Sequence, residues 1–229
     1  MDRALEDLCE FVRSHTALAP VPLVPEIGVY QATELTPLWH ATAADLRGSD
    51  ESPFWAFPWA GGQALARYLA DCPSAARGLC VLDVGTGCGV AAIAAARAGA
   101  SRVLAYDLDP FCEAAVLLNA SENGVAVEFC PGSPFALPLP GPGLILAGDV
   151  FYERKLADDF LAFAEEASGR GARILAGDPG RLYSPRGGFA ELAAYDVPTS
   201  LEIEGRPVLR TRVLELCPRV REGDGPDSG

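Results

Sequence analysis

Between residues 79 and 178 one arrangement recurs: a short, continuous apolar run, then a stretch with helical spacing. The apolar runs are LCVLDVG, RVLAYD, VAVEFC, GLILAGD and ARILAGD. Between them lie GVAAIAAARAGA, FCEAAVLLNASENG, a Pro/Gly loop, and ERKLADDFLAFAEEASGRG. A strand with no polar alternation must be covered on both faces, which a parallel sheet flanked by helices provides. The sequence therefore predicts an α/β chain built on a parallel sheet. A further helix is expected over GGFAELAAY, and TSLEIEG with RTRVLEL is expected to close the chain as an antiparallel pair. That makes seven strands, mostly parallel, with an antiparallel last strand.

Upstream, Leu5, Leu8, Cys9 and Val12 give residues 3–15 a helical face. APVPLVPEIG, with Pro20, Pro22 and Pro25, reads as a connector; QATELTPLWHATAADL and the polar break RGSDESP follow. The second half of FWAFPWAGGQALARYLAD is expected to be a helix. The division predicted is an N-terminal helical and proline-containing extension over 1–52, one α/β domain over 53–217, and a disordered tail over 218–229.

Composition narrows the chemistry. The 229 residues carry a net charge of −13, and Lys155 is the single lysine. Such a balance opposes a phosphate backbone, so nucleic acid is not expected as a partner, whereas a cationic substrate or a basic protein face is favoured. No apolar run reaches membrane-spanning length, and the acidic N-terminus lacks an apolar signal core, so a cytoplasmic, bacterial protein without membrane attachment is expected. We expect a monomer. The seven cysteines form no CxxC and are expected to be reduced and mostly buried. With two histidines, no HExxH and no GxSxG, neither metal-dependent nor serine-dependent hydrolysis is supported, and no metal site is expected.

The strand ending at Asp83 runs into VGTGCG, with glycines at 85, 87 and 89. The dinucleotide fingerprint needs its third glycine at position 90, which is Val90, so NAD is the weaker choice. A carboxylate at Asp83 would repel a pyrophosphate and suits an amino or sulfonium group. Asp107 ends the next strand, where an acid can accept both hydroxyls of a ribose. The two acids around one glycine loop favour S-adenosylmethionine, with Gly85, Thr86, Gly87 and Leu108 completing the expected contacts. An acid that could meet the adenine amino group is missing after the third strand, where the chain reads CPGSPF with Ser133.

These stretches resemble the class I, seven-β-strand methyltransferases, whose fold is a Rossmann-like sheet. Within that class LVPEI, SPFWAFPWAGGQALARYL, LDVGTGCGVAAIAAARAGA, DLDP, LLNASENGV, GDVFYER and GDPGRLY resemble the electron transfer flavoprotein β-subunit lysine methyltransferases. The resemblance implies methyl transfer from S-adenosylmethionine to lysine on a protein, with the flavoprotein β subunit as partner. It places Trp59 and Asp149 on the cofactor and makes Asp149 and Tyr152 a D-x-x-Y pair at the target amine. Asp149 is expected to orient the amine and accept its proton, Tyr152 to wall the pocket, and Val150 and Phe151 to pack on the sheet. Trp39 is expected to pack, and Trp55 is left between lid and core. Asp178 and Arg181 are expected either to pair across a turn or to belong to a substrate loop. A small-molecule amine methyltransferase and a methyltransferase for another protein, such as a ribosomal protein, are the alternatives.

Overall fold

The computed structural model describes residues 3–32, 38, 52–136 and 143–217. The tail over 218–229, Trp39, and nearly all of the segment between Ala32 and Ser52 lie outside the described residues. Helix α1 (Arg3–His15) leads into a hairpin of β1 (Ala17–Val21) and β2 (Val24–Gln31). Then come α2 (Ala60–Asp71), β3 (Cys80–Val84), α3 (Val90–Arg97), β4 (Arg102–Asp107), α4 (Pro110–Glu122) and β5 (Glu128–Pro131). The chain continues through β6 (Leu144–Gly148), α5 (Arg154–Gly169), β7 (Arg173–Asp178), β8 (Phe189–Pro198) and β9 (Val208–Leu216).

Seven strands form one sheet in the order β5-β4-β3-β6-β7-β9-β8. Neighbours from β5 to β7 are parallel, and β9 runs antiparallel to both β7 and β8. The expected sheet, with its antiparallel last strand, is therefore the one observed.

Side chains along each central strand alternate between two cores, as the pleat requires. Val81, Val103, Ala105, Leu144, Leu146 and Leu175 point to the face covered by α2 and α3. Leu82, Leu104, Ile145, Ala147 and Ile174 point to the face covered by Phe160, Phe163 and Ala167 of α5. Full burial of each Leu or Ile side chain is worth about 1.5–3 kcal/mol. A third apolar cluster joins α1 to α4 through Val12, Trp55 and Phe111.

Two expectations are corrected. GGFAELAAY is not a helix: its alanines and leucines favour one, yet residues 189–198 pair along their length with β9. TSLEIEG is not a strand, because a single helical turn over Leu201–Glu204 caps the β8–β9 connection. The proline-rich connector is also ordered, as the β1–β2 hairpin. Asparagines on α4 fasten it: Asn119 Oδ1 accepts from the Tyr30 N–H at 2.7 Å, and Asn123 Nδ2 donates to the Gly28 carbonyl at 2.6 Å.

Candidate active site

The C-terminal ends of β3, β4 and β6 point to one edge of the sheet, where open α/β sheets bind ligands. After β3, Gly85, Gly87 and Gly89 take φ values of 64°, 53° and 81°, a left-handed region open to glycine at little cost. Side chains at 85 and 87 would meet nothing nearer than 3.8 Å, so conformation rather than crowding calls for glycine there. The Gly87 N–H donates to Asp107 Oδ2 at 2.9 Å, and the Leu108 N–H to Asp107 Oδ1 at 2.8 Å. Asp107 thus stands at the mouth of the loop with its carboxylate fixed, beside the exposed side chain of Leu108.

Asp83 faces inward. Its Oδ2 accepts from Thr86 Oγ1 at 2.6 Å and from the Ala92 N–H at 3.2 Å, and the residue is 2 % exposed. Burial pushes its carboxyl up to about 7, against the pull of these two donors. In this conformation it ties the glycine loop to α3 rather than offering itself to a ligand. Thr86 is likewise buried behind the loop. Burial raises the neighbouring Cys88 thiol to about 12, so it is an inert part of the wall. The cysteines are less uniformly buried than expected: Cys9, Cys88 and Cys112 are buried, but Cys72 and Cys217 are exposed.

Asp149 follows β6 and has φ 58°, the one positive value outside glycine among the described residues. Aspartate tolerates this region because its short polar side chain bonds locally. Here Oδ2 accepts the Gly61 N–H at 2.5 Å, in the first turn of α2. The N-cap residue of that helix, Trp59, makes no side-chain cap bond, so Asp149 supplies the missing acceptor from another element. Close approach makes this possible: a Cβ on Gly61 would lie 2.3 Å from the Gly177 carbonyl oxygen, and one on Gly148 would lie 2.7 Å from the Gly62 nitrogen. Asp149 Oδ1 accepts from Arg181 Nε at 2.9 Å and Nη2 at 2.5 Å. Burial pushes the Asp149 carboxyl up to about 6, even with Arg181 and the Gly61 N–H favouring its charge.

Trp59 borders this cluster. Its Nε1 donates to the Phe54 carbonyl at 2.9 Å, and Arg181 lies 5.9 Å from its ring centre. Phe54 stands edge-on to both Trp59 and Tyr152, at 5.4 and 5.8 Å between ring centres. Tyr152 is 48 % exposed, so it forms an outer wall. Beyond it, an open surface groove of about 550 Å³ is lined by Tyr152, Arg154, Lys155, Asp158, Asp159 and Tyr183 among others. Val150 and Phe151 pack in the core as expected, and Trp55 is core, stacked on Phe111 at 5.3 Å.

The Asp178–Arg181 turn differs from a simple ion pair. Asp178 accepts the Arg181 N–H at 3.0 Å, a Ser184 hydroxyl and Arg212 Nη2 at 2.9 Å, while the Arg181 guanidinium goes to Asp149 and to Glu204. Glu204 carried no motif in the sequence. It reaches the site only because the β8–β9 turn folds back over the strand ends.

Among the described residues, no group of His, Cys, Asp and Glu could hold a metal ion, and no helix is long and apolar enough to cross a membrane.

The chain is similar to several known methyltransferases. The family model for ribosomal protein L11 methyltransferase (PrmA) matches residues 67–133, which include the glycine loop and Asp107. A solved magnesium protoporphyrin IX methyltransferase from Synechocystis is 20 % identical with a TM-score of 0.50, covering 69 % of this chain and 77 % of that one. A 16S rRNA methyltransferase from T. thermophilus is 21 % identical with a TM-score of 0.51, covering 69 % and 43 %. These two likenesses concern the fold. A ribosomal protein L11 methyltransferase from Pelotomaculum thermopropionicum is 37 % identical over 145 residues, 62 % of this chain and 40 % of its own. The electron transfer flavoprotein β-subunit lysine methyltransferase of Mus musculus is 36 % identical over 209 residues, 86 % of this chain and 78 % of its own. Its Xenopus laevis counterpart is 40 % identical over 173 residues, 75 % and 70 %. A chain with this sheet, this glycine loop and this extent of identity belongs to the electron transfer flavoprotein β-subunit lysine methyltransferase family of S-adenosylmethionine-dependent enzymes.

Proposed function

We propose that this chain methylates the Nζ of lysine on the electron transfer flavoprotein β subunit, with Asp149 meeting the amine. The observation that carries the reading is Asp149 itself: a carboxylate held in a left-handed bend at the sheet's binding edge, beside a glycine loop and an aromatic wall. S-adenosylmethionine, when bound there, would supply an activated methyl whose transfer to nitrogen would leave the C–S electron pair on sulfur. The residues fit that cofactor. The loop of Gly85, Thr86 and Gly87, with both glycines left-handed, lets backbone approach it, Asp107 offers the open side of Oδ2 to a ribose hydroxyl while Oδ1 holds the Leu108 and Asp109 N–H groups, Leu108 offers apolar surface, Trp59 borders it, and Asp83 holds the loop.

The protein's remaining task is to position a neutral amine. A lysine with a pKa near 10.4 is neutral about once in 2,500 molecules at pH 7. The aromatic surround of Phe54, Trp59 and Tyr152 favours the uncharged form by desolvation. Asp149 holds an N–H and aims the nitrogen lone pair, with Tyr152 as the outer wall of the lysine channel.

A second reading has its own support. The family model of the ribosomal protein L11 methyltransferases matches residues 67–133, although that match ends before Asp149 and therefore concerns the cofactor half. The test offers labelled S-adenosylmethionine with purified flavoprotein or with ribosomal protein L11, read by intact mass. Methyl-sized gains on the flavoprotein β subunit, lost with Asp149→Asn, are expected. Gains on L11 alone would replace the first reading with the second.

A further inference from the structure

The proposal below rests on the reading of Asp149 as the group that meets the amine. The Arg181 side chain is 21 % exposed and joins two carboxylates from different elements. Toward Glu204 it makes a two-pronged pair, Nη1 to Oε2 at 2.8 Å and Nη2 to Oε1 at 2.7 Å. Toward Asp149 it directs Nε and Nη2 at the single oxygen Oδ1. The Glu204 side chain is 7 % exposed, so this is not a solvated surface pair. A guanidinium gripped at both ends has its plane fixed.

This geometry divides the Asp149 carboxylate. Oδ1 is filled by two donors from Arg181. Oδ2 takes one from Gly61 and keeps one acceptor direction. A carboxylate engaged in this way can hold one N–H of an amine through Oδ2, and Arg181 opposes its taking up a proton, against the push of burial. A fixed guanidinium at the same spot also disfavours a second cation. Among the other groups facing the cluster, Glu204 works against it, since its charge bears on Asp149 as well as on Arg181; Asp178 is committed to Arg212 and Ser184, and the Gly61 N–H adds a positive dipole end.

We propose that Arg181 is a positioning residue that makes the site accept the substrate lysine in its neutral form, fastened for that purpose by Glu204 from the β8–β9 turn. The ammonium proton leaves to solvent before transfer, and the proton released from the methylated amine afterwards takes the same route. The proton-accepting half of the role that the sequence assigned to Asp149 falls away, and orientation through Oδ2 remains.

The test compares the full-length wild-type protein with Arg181→Gln and Arg181→Lys. In cofactor-free protein, the Asp149 carboxyl is titrated by carbon NMR. It is expected near 6 in the wild type, higher in Arg181→Gln, and between the two in Arg181→Lys. Next, kcat for methylation of the flavoprotein β subunit is measured against pH, since kcat reports the groups that titrate in the bound complex. The acid limb of Arg181→Gln is expected to move up by about one pH unit, which makes the variant about tenfold slower at a pH below both limbs. Arg181→Lys keeps a cation and is expected to keep most of the wild-type limb. A uniform loss at every pH, with the limb in place, would reduce Arg181 to a structural tie. A limb that rises as far in the lysine variant as in the glutamine variant would also overturn the proposal. If Arg181→Gln does not fold, the lysine variant decides alone. If the wild type methylates no protein offered, the assigned function fails, while the NMR titration still decides whether Arg181 governs Asp149.

Discussion

At the scale of single residues, the site depends on carboxylates kept out of water. Asp149→Asn suits the φ of 58°, since asparagine tolerates the left-handed region that alanine occupies only with strain; it removes the charge and turns one of the two accepting oxygens into a donor. Through lost orientation it is expected to lower kcat/KM about 100-fold, with cofactor affinity by calorimetry changed far less. Tyr152→Phe keeps the half-exposed ring and should cost no more than a few-fold in KM, whereas Tyr152→Ala should cost more. Asp83 and Asp149 are both held above the ordinary 3.8, at about 7 and about 6. The folded chain therefore keeps protons that the unfolded chain has lost between those values, and stability falls as pH rises through that window, then levels off. Asp83→Asn removes one of the two contributions, so its melting temperature should drop less than the wild type's between pH 5 and pH 8. A drop of equal size would mean Asp83 titrates normally. Asp107 and Asp149 were legible from sequence because each ends an apolar run next to a recognisable loop. The inward turn of Asp83 was not legible, because burial is decided by Thr86 and α3 closing over it. Glu204 could not be read at all, since it meets Arg181 across 23 residues that include a whole strand.

At the scale of elements, the first turn of α2 lies against the ends of β6 and β7 with no side chains between. A Cβ on Gly177 would sit 2.1 Å from the Gly61 carbonyl oxygen. Backbone cannot swing aside as a side chain can, so Gly177→Ala is expected to destabilise by about 3 kcal/mol or more, seen as a lower denaturant midpoint. It should also pull the Gly61 N–H away from Asp149 and reduce turnover. Gly124→Ala, with no neighbour within 4 Å but φ 64°, is the control and should cost less. The central strands were readable because unbroken apolar runs such as LILAG have few other uses. β8 was not: FAELAAY has the composition of a helix, and its pairing with β9 overrides that preference. The β1–β2 hairpin was hidden by its prolines, which the open edges of a two-stranded ribbon tolerate.

At the scale of the molecule, a net charge of −13 should act on encounter. The Debye length shortens from about 10 Å at 0.1 M salt to about 3 Å at 1 M. KM for a basic protein substrate is expected to rise several-fold with salt across this range while cofactor affinity moves less; a KM flat in salt would remove electrostatic steering from the account. The strand order carries a consequence for how the protein is made. β9 inserts between β7 and β8, so a chain leaving the ribosome presents five parallel strands whose last, β7, has an open edge until residue 216 emerges. Until then that edge is a template for the wrong partner. Because Glu204 lies in the same late segment, the enzyme cannot acquire its finished site before it has closed its sheet. Nascent chains halted before β9 should therefore be both inactive and prone to aggregate.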